Sequence, residues 1–587
     1  MGNILVSGGI LDGSLSGLAV VVGWFSIVIL LIVRWIVEEP FGTVQSKNRI
    51  RNNEVRRQKR FNDAKLKVED IGEDLRDEIV GLNFQDLRES LQEGKYNAVT
   101  VLKAYAWKAL IENDRVNCLA EFLVESFEKA EKLDEQYEYS NEKPALYGIP
   151  FSVKGNFFMK GYDCTCGLSK FLENPKEDTC TIVTALEDLG AVPFVLTNVP
   201  QALLSFVCSN PVYGTTKNPY NVNRVPGGSS GGEAALLASG GTAFATGSDL
   251  AGSLRIPSTM CGLVSIKPTQ DRITVRHASQ GVPGRGRMAL AYGFITKSVD
   301  EQIYLIDQVL GLESFHKSCP TAVPMPLKMD IINETANKKL RIGYFSDDGF
   351  LKPSTGCERV VVETVEKLKA QGHELVHFRL PRPNHAAEIC YKSILTDGGT
   401  FLCNLFRGEV IDQYMSSFVS LIKIPLLLRT WAAFVLGFIS PQAQILSRSF
   451  VRNIEELRQN QEHVDLYQEA IIDQWNELAL DAIVCPAFCV PAVEHKWPSL
   501  LGACGFATAF WNMINFPSGV VPAGKWNKED TKALEEYETG NNFVLKFVKQ
   551  SSAGSEGLPL SVQIATKPYE EEKCLAIMKI VEQLWKE

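Results

Sequence analysis

Histidine is scarce in this chain, which has seven among 587 residues. No Gly-x-Ser-x-Gly elbow with the expected strand and helix flanks is found, so a Ser-His-Asp site is not indicated. The Gly/Ser-rich stretch at residues 227–232 is not followed by the Gly-Lys-Ser/Thr of a phosphate-binding P-loop. We therefore expect the histidines to be ordinary core or surface residues: His277, His316, His373, His377, His385, His463 and His495.

Cysteine spacing typical of a zinc site is also missing. The fourteen cysteines include two close pairs, Cys164-x-Cys166 and Cys485-x-x-x-Cys489, and neither has a second pair at zinc-site spacing. Cysteines in apolar surroundings, such as Cys504 and Cys574, are typical of small core residues. We expect no metal, no cofactor and a reducing compartment.

Positive charge is not in excess, since the formal net charge is −9 at pH 7. This balance argues against general nucleic-acid binding, which favours a basic surface. Hydrophobic residues make up 45% of the chain and charged residues 22%, an ordinary globular composition with enough length for a large core. We see no internal repeat and no low-complexity tract.

A long uncharged run lies near the N-terminus. Residues 13–33 carry no charged side chain, and a span of about 20 apolar residues crosses a bilayer. A secretory signal peptide would have a positive n-region, whereas the charged residue before the run is Asp12. Positive residues follow the run, which places the rest of the chain in the cytosol. We predict a single-pass transmembrane anchor over residues 1–38; the alternative is a buried core helix.

Residues 39–98 are predicted to form a charged helical juxtamembrane segment. The stretch from Lys47 to Val80 has little apolar content until Val68. It is typical of a solvated helix leaving the membrane, and the alternative is a basic segment attracted to anionic lipid headgroups.

The rest of the chain alternates between helical and strand patterns, which favours an α/β fold. Apolar residues at helical spacing predict a helix within 99–125, and further helices are expected at 234–238 and 360–371. Short apolar runs predict strands at 149–153, 192–196, 242–246, 339–345 and 373–378.

A second hydrophobic stretch covers Tyr414 to Ile439 and contains Lys423, Pro425 and Arg429. The charges and the proline argue against a clean transmembrane span. Basic residues among aromatic and aliphatic ones suit a helix pair in the membrane interface, and core helices are the alternative.

Three segments carry candidate chemistry. Lys154 ends the apolar segment Tyr-Gly-Ile-Pro-Phe-Ser-Val-Lys, Ser229 lies in Gly-Gly-Ser-Ser-Gly-Gly, and Ser253 lies in Gly-Ser-Asp-Leu-Ala-Gly-Ser-Leu-Arg-Ile-Pro. A serine needs an adjacent base and fixed donors for the oxyanion before it can attack an amide. A lysine can be that base only when neutral, and burial lowers its pKa. Alone, a Gly/Ser-rich stretch is typical of a loop or linker; the three segments together favour a catalytic site.

Together these segments resemble the amidase signature family of serine hydrolases. The likeness continues through Cys261-Gly262 and Lys267-Pro-Thr269 and covers roughly residues 100–587. Other segments resemble the membrane-bound lipid branch of the family: Thr197–Gln201, Cys208–Pro211, Gly214–Pro219, Asn515–Pro522 and Gly557–Gln563.

The resemblance implies a fold and a site. The fold would be one large α/β domain over residues 99–587, with a central mixed sheet covered by helices, behind the N-terminal transmembrane helix. Ser253 would be the nucleophile, Lys154 the base, and Ser229, after a cis peptide bond from Gly228, the bridge between them. The N–H groups of Leu250, Ala251, Gly252 and Ser253 would form the oxyanion hole, although the family more often has glycine in place of Ala251. Ser230, Asp249 and Arg255 would support the site, with Asp249 the partner of Arg255.

The lipid branch implies substrate and setting. Leu203 and Leu204 would line an acyl channel, and residues 414–442 would form a membrane-binding cap. We expect cleavage of fatty acid amides, such as N-acylethanolamines and primary fatty amides, by a homodimer on an intracellular membrane, that of the endoplasmic reticulum. The other hypotheses are an amidase or esterase for other substrates and an inactive membrane-tethered scaffold.

Overall fold

A mixed sheet of eleven strands runs through the centre of the described molecule. The computed structural model describes residues 44–140, 142–284 and 286–586. The predicted anchor at residues 1–38 lies outside these residues.

The described strands, in chain order, are β1 Leu119–Phe122, β2 Pro150–Lys154, β3 Val192–Thr197, β4 Ser209–Asn210, β5 Gly214–Thr215, β6 Phe244–Asp249, β7 Val264–Lys267, β8 Ala291–Thr296, β9 Arg341–Tyr344, β10 Glu374–His377, β11 Ala482–Pro486, β12 Ser518–Lys525 and β13 Pro559–Ala565. The described helices are α1 Val44–Lys67, α2 Glu73–Gly81, α3 Phe84–Gln92, α4 Ala98–Val116, α5 Ser126–Tyr137, α6 Thr181–Asp188, α7 Gly231–Ala238, α8 Arg255–Met260, α9 Val299–Leu310, α10 Glu313–Ser318, α11 Met329–Ala336, α12 Thr355–Ala370, α13 Pro383–Ile394, α14 Thr400–Leu405, α15 Ser416–Lys423, α16 Leu426–Leu436, α17 Pro441–Arg448, α18 Ile454–Glu477, α19 Phe506–Met513, α20 Lys528–Glu535, α21 Phe543–Ser552 and α22 Glu571–Lys586.

The strand order in the large sheet is β1-β3-β2-β6-β8-β7-β12-β13-β11-β9-β10. Strand β2 pairs in parallel with both β3 and β6, whereas β6 pairs antiparallel with β8, so the sheet is mixed. Every residue of β2, β3 and β6 is buried, as expected when helices cover both faces of a sheet. The predicted α/β class with a central mixed sheet is confirmed.

The predicted strands and helices of the catalytic region are found with shifts of a few residues, except near residue 117. The sequence predicts a helix within 99–125, whereas α4 ends at Val116. Asn117 takes a left-handed conformation (φ 51°) that stops the helix, and Leu119–Phe122 then pairs with β3. The helical periodicity of this stretch was misleading because short apolar runs suit a buried strand equally well.

The basic helix α1 packs against the edge strand β1 of the sheet. Its Arg57 guanidinium is buried and donates to the carbonyl oxygens of Leu119 (2.9 Å) and Ala120 (2.8 Å) at the edge strand β1. Arg60 forms a 2.7 Å ion pair with Glu121, and the side chain of Phe61, on the same helix, is buried. The segment before the catalytic region is therefore fixed to the edge of the sheet.

The second hydrophobic stretch forms the two helices α15 and α16. Val419 and Ile422 of α15 are buried, whereas Phe434 and Phe438 at the end of the stretch are 65% and 78% exposed. Among the described residues, no single helix has both the length and the apolar composition to cross a bilayer. Ser416–Lys423 and Leu428–Leu436 meet that test only as a pair, bent by 114°.

Candidate active site

Two neighbouring parallel strands bring the site together. Lys154 is the last residue of β2, and Asp249 is the last residue of the adjacent β6. Their carboxyl ends lie at the same edge of the sheet, where α/β proteins place their ligands.

The Lys154 amine contacts three oxygen atoms. Its Nζ lies 3.0 Å from Ser229 Oγ, 2.9 Å from Ser248 Oγ and 3.1 Å from the Ser248 carbonyl oxygen. A neutral amine has two N–H donors and one lone pair. It can donate to both Ser248 oxygens and accept the proton of the Ser229 hydroxyl, so the contacts suit a neutral base.

Burial controls the charge of Lys154. The side chain is completely buried, and desolvation lowers the pKa of its amine to about 7, against the raising effect of Asp249 and Glu233. The Glu233 carboxyl is also completely buried, and desolvation raises its pKa to about 8. Both changes favour neutral side chains near neutral pH.

Ser229 follows a cis peptide bond from Gly228, as the resemblance implied. Its hydroxyl faces Lys154, and the chain before it passes close to other backbone atoms. A Cβ on Gly228 would lie 2.4 Å from the Ser205 carbonyl oxygen, which explains why glycine occupies this position.

The turn that carries Ser253 also requires a glycine. Gly252 has φ 120°, and a Cβ there would lie 2.2 Å from Thr508 Oγ1. The Thr508 hydroxyl donates to the Ala251 carbonyl oxygen at 2.7 Å, which fixes the turn against α19. The Ser253 carbonyl oxygen accepts a 3.3 Å hydrogen bond from the Ser230 N–H, which joins the two serine loops.

The four N–H groups expected at the oxyanion hole are not equivalent. The Gly252 N–H donates to Asp249 Oδ1 at 2.7 Å and is therefore occupied. The groups of Leu250, Ala251 and Ser253 are the remaining candidates. All three residues lie on the wall of the cavity described below.

Asp249 and Arg255 form the expected pair. Arg255 Nε and Nη2 donate to the two Asp249 carboxylate oxygens at 3.0 and 2.9 Å, and both side chains are completely buried. These bonds contribute to lowering the pKa of the Asp249 carboxyl far below its usual range, although desolvation, the largest single influence, acts in the opposite direction. Ser230 is buried as well, and within the described residues its hydroxyl has no hydrogen-bond partner.

An apolar cavity of about 340 Å³ reaches the proposed nucleophile. Leu203 and Leu204 lie on its wall together with Ser253. Another part of its wall is formed by the second hydrophobic stretch and the segment after it, including Phe418, Leu421 and Phe450. The structure thus places both leucines expected at the acyl channel in the same cavity as Ser253.

The sequence analysis missed several residues of the site. Ser248 lies within the Ser253 segment, and its position one residue before the end of a strand could have indicated it. Asn512 of α19 donates to Asp249 Oδ1 at 2.9 Å, and Glu233 accepts a hydrogen bond from the Ser152 hydroxyl of β2. These two depend on packing between distant segments, which local patterns do not show.

His277, the first histidine after Ser253, has its ring nitrogen 3.5 Å from an Asp178 carboxylate oxygen. Among the described residues, no group of three or more His, Cys, Asp and Glu side chains is placed to hold a metal ion.

Known proteins match this chain in sequence and in fold. The model of the Amidase family matches residues 100–575. The chain is 33% identical over 526 residues to fatty acid amide hydrolase 1 of Caenorhabditis elegans, covering 89% of this chain and 92% of the relative. It is 34% identical over 509 residues to fatty-acid amide hydrolase 1 of Sus scrofa, covering 86% of each. A solved fatty acid amide hydrolase has the same fold, with a TM-score of 0.76 at 24% identity over 87% of this chain and 86% of that one. The family match over residues 100–575 and the two relatives above 30% identity show that this chain belongs to the amidase signature family of hydrolases.

Proposed function

We propose that this protein hydrolyses fatty acid amides to a fatty acid and an amine with Lys154, Ser229 and Ser253. The observation that carries the proposal is that Ser253 lies in the wall of an apolar cavity with Leu203 and Leu204. The loop that carries Ser229, whose hydroxyl contacts buried Lys154, is joined to Ser253 by a backbone hydrogen bond from Ser230. Two relatives at 33% and 34% identity bear the name fatty acid amide hydrolase, which supports this substrate class.

The proposed reaction begins with a proton transfer. Ser253 Oγ attacks the amide carbonyl carbon while its proton passes to Ser229, whose own proton passes to neutral Lys154. The oxyanion is stabilised by the N–H groups of Leu250, Ala251 and Ser253. Lys154 and Ser229 then return a proton to the leaving nitrogen, so that an amine departs and an acyl-enzyme remains. A water molecule then gives a proton to Lys154 through Ser229 and attacks the acyl carbon. The ester bond to Ser253 Oγ breaks, the proton returns to Ser253 Oγ, and the fatty acid departs.

We further propose that residues 1–38 anchor the protein in a membrane. The catalytic domain at 99–587 then lies in the cytosol, and residues 414–442 contact the bilayer as a cap. The exposed Phe434 and Phe438 of the cap region support membrane contact. The endoplasmic reticulum as location and a homodimer as assembly are part of the same proposal.

The deciding experiment compares amides that differ only in acyl length, for instance acetamide and a long-chain primary amide. Each added methylene buried in the cavity contributes about 0.8 kcal/mol, so kcat/KM should rise steeply with chain length. A fluorophosphonate probe should label wild-type protein at Ser253 and leave Ser253→Ala unlabelled. A flat dependence on chain length with intact labelling would indicate an amidase or esterase for other substrates, and no labelling would indicate the scaffold.

A further inference from the structure

A completely buried carboxyl group lies beside the catalytic segments and has no role in the reaction proposed above. Glu233 is in the first turn of α7, the helix that begins two residues after Ser229, and none of its side chain is exposed. Glutamate is rarely buried in full unless it is paired. The partners of Glu233 are two hydroxyl groups, those of Ser152 and Thr246.

These two hydroxyl groups belong to the strands that carry the catalytic lysine and its contacts. The Ser152 hydroxyl of β2 donates to one Glu233 carboxyl oxygen, and the Thr246 hydroxyl of β6 lies 3.2 Å from the other. Ser152 is two residues before Lys154, and Thr246 is two residues before Ser248. Side chains two apart on a strand share one face of the sheet. Glu233 therefore joins β2 to β6 one step before Lys154 meets Ser248.

Side chains also replace the backbone ladder at this point. The pairing of β2 with β6 ends at Ser152 and Ala245, and beyond it the Lys154 N–H donates to Thr246 Oγ1 at 3.1 Å. The same Thr246 Oγ1 lies 3.3 Å from the Ser152 carbonyl oxygen, besides its contact with Glu233. Thr246 Oγ1 thus has three partners, and a hydroxyl group has one proton to donate and two lone pairs to accept with.

The number of protons favours a neutral Glu233. A protonated carboxyl group donates to Thr246 Oγ1, whose own proton then goes to the Ser152 carbonyl oxygen, while the Lys154 N–H uses the second lone pair. All the contacts are satisfied at once. A carboxylate would instead compete with the Ser152 carbonyl oxygen for the single Thr246 proton. Burial acts in the same direction, since desolvation raises the pKa of the Glu233 carboxyl to about 8.

We propose that Glu233 is a positioning residue, which as a neutral carboxylic acid holds Lys154 in place against Ser229. It acts from the helix that follows the Ser229 loop on the two strands that carry Lys154 and Ser248. Without a charge it leaves the Lys154 amine neutral, whereas a carboxylate would stabilise the ammonium form, which cannot accept a proton. This role rests on the proposed function, because it concerns the base of that reaction.

The other titratable groups that face Lys154 are the Asp249 carboxylate and the thiols of Cys166 and Cys208. Arg255 neutralises Asp249 within their buried ion pair. The Cys118 thiol is also near Glu233, and burial raises its pKa, which keeps it uncharged. The charge state of the Lys154 amine therefore depends on whether Glu233 is ionised.

The first test removes the carboxyl group from the full-length protein in detergent micelles. Glu233→Ala should lower kcat about 100-fold, because small displacements of catalytic groups have effects of this size. KM should stay the same, since Glu233 does not line the substrate cavity. Glu233→Gln should recover most of the lost rate, because its amide can donate to Thr246 Oγ1 and accept from Ser152. If Glu233→Ala does not fold, Thr246→Val removes the shared hydroxyl instead and should lower kcat in the same way.

Glu301 of α9 offers the matched control. It is 8% exposed, its carboxyl accepts from the Lys297 N–H at 2.9 Å, and burial raises its pKa as well. Glu301→Ala should lower the melting temperature and leave kcat unchanged. Equal kcat in Glu233→Ala and Glu301→Ala would show that Glu233 has only a structural role and would overturn the proposal.

The pH profile tests the charge. If Glu233 is neutral where Lys154 titrates, the acid limb of kcat/KM in Glu233→Gln has the same midpoint as in the wild type. If Glu233 is ionised there, the substitution removes a negative charge, lowers the pKa of Lys154 and moves the limb to lower pH. A shift to lower pH would therefore overturn the neutral acid.

A measurement without substrate separates this inference from the proposed function. The infrared difference spectrum between wild type and Glu233→Gln at neutral pH should show the C=O stretch of a protonated carboxyl group, and its absence would overturn the neutral acid. Wild-type protein without hydrolysis of fatty acid amides would contradict the proposed function alone. The rate of fluorophosphonate labelling at Ser253 then replaces kcat in the same comparison, and the infrared band still reports the proton on Glu233.

Discussion

Arg255 and Asp249 form an ion pair in which neither side chain has any exposed surface. Arg255 also donates to the Thr508 carbonyl oxygen at 2.9 Å and to Gln563 Oε1 at 2.8 Å. The pair therefore joins the nucleophile turn, helix α19 and strand β13 in one buried network.

Removing one charge from this pair should destabilise the protein strongly. Asp249→Asn leaves the Arg255 guanidinium buried and uncompensated, and breaking such a pair costs about 3–5 kcal/mol. The measurement is the free energy of unfolding in urea. The matched control is Glu313→Gln, which breaks an exposed pair with Lys317 (2.9 Å) and should cost less than about 0.5 kcal/mol. Similar losses in both variants would show that the buried network does not stabilise the turn.

The rate should rise with pH around neutrality. Lys154 accepts a proton only when neutral, and its pKa is lowered to about 7, so kcat/KM falls as the pH drops through this value and reaches a plateau above it. Lys154→Ala should abolish the reaction, and Lys154→Glu should move the acid limb to lower pH, because a carboxylate accepts a proton there.

Lys267 provides the control for this profile. It is also completely buried, with a pKa lowered to about 7 mainly by desolvation, but it does not line the substrate cavity. Lys267→Met should keep the acid limb of kcat/KM where the wild type has it. An acid limb that disappears in Lys267→Met would show that Lys154 is not the titrating base.

Gly252→Ala should disrupt the nucleophile turn. Alanine rarely adopts φ 120°, and its Cβ would lie 2.2 Å from the Thr508 hydroxyl oxygen. We expect loss of hydrolysis and of fluorophosphonate labelling together with a lower melting temperature. Gly72→Ala is the control, since a Cβ there has no neighbouring atom within 4 Å. Normal labelling in Gly252→Ala would mean that the turn tolerates a side chain.

Leu204→Trp should narrow the acyl cavity. We expect kcat/KM to fall more for a long-chain amide than for a short one, because the added ring occupies space that only the long chain needs. Leu237→Ala is the control: Leu237 is completely buried and lies outside the cavity, so its loss should affect both substrates alike. An equal loss for both substrates in Leu204→Trp would assign Leu204 to the core instead.

Membrane association should have two sources. Deleting residues 1–38 should release part of the protein from carbonate-washed membranes, and adding Phe434→Ser and Phe438→Ser should release most of the rest, because both side chains are exposed. Tyr139→Ser, at a site 90% exposed and far along the chain from the cap, is the control for surface hydrophobicity. Complete release on deletion alone would argue against contact through residues 414–442.

The sequence patterns predicted the strands that carry Lys154 and lead to Ser253, because buried strands appear as short apolar runs between turn residues. The resemblance to the amidase signature family implied the Asp249–Arg255 pair. They did not indicate Ser248, Asn512 or Glu233, whose roles arise where segments far apart in the chain pack together. They could not show that the Gly252 N–H is engaged by Asp249, since hydrogen-bond direction in a tight turn depends on its dihedral angles.

The contact between Arg255 and Gln563 has a consequence for shortened forms of this protein. Strand β13 lies between β12 and β11 inside the sheet, near the C-terminal end of the chain. A splice form or a premature stop that removes Pro559–Ala565 would retain Lys154, Ser229 and Ser253 and still be recognised by its motif. Such a product would lack the strand against which the nucleophile turn is held, so an intact C-terminus is the better criterion for an active gene copy.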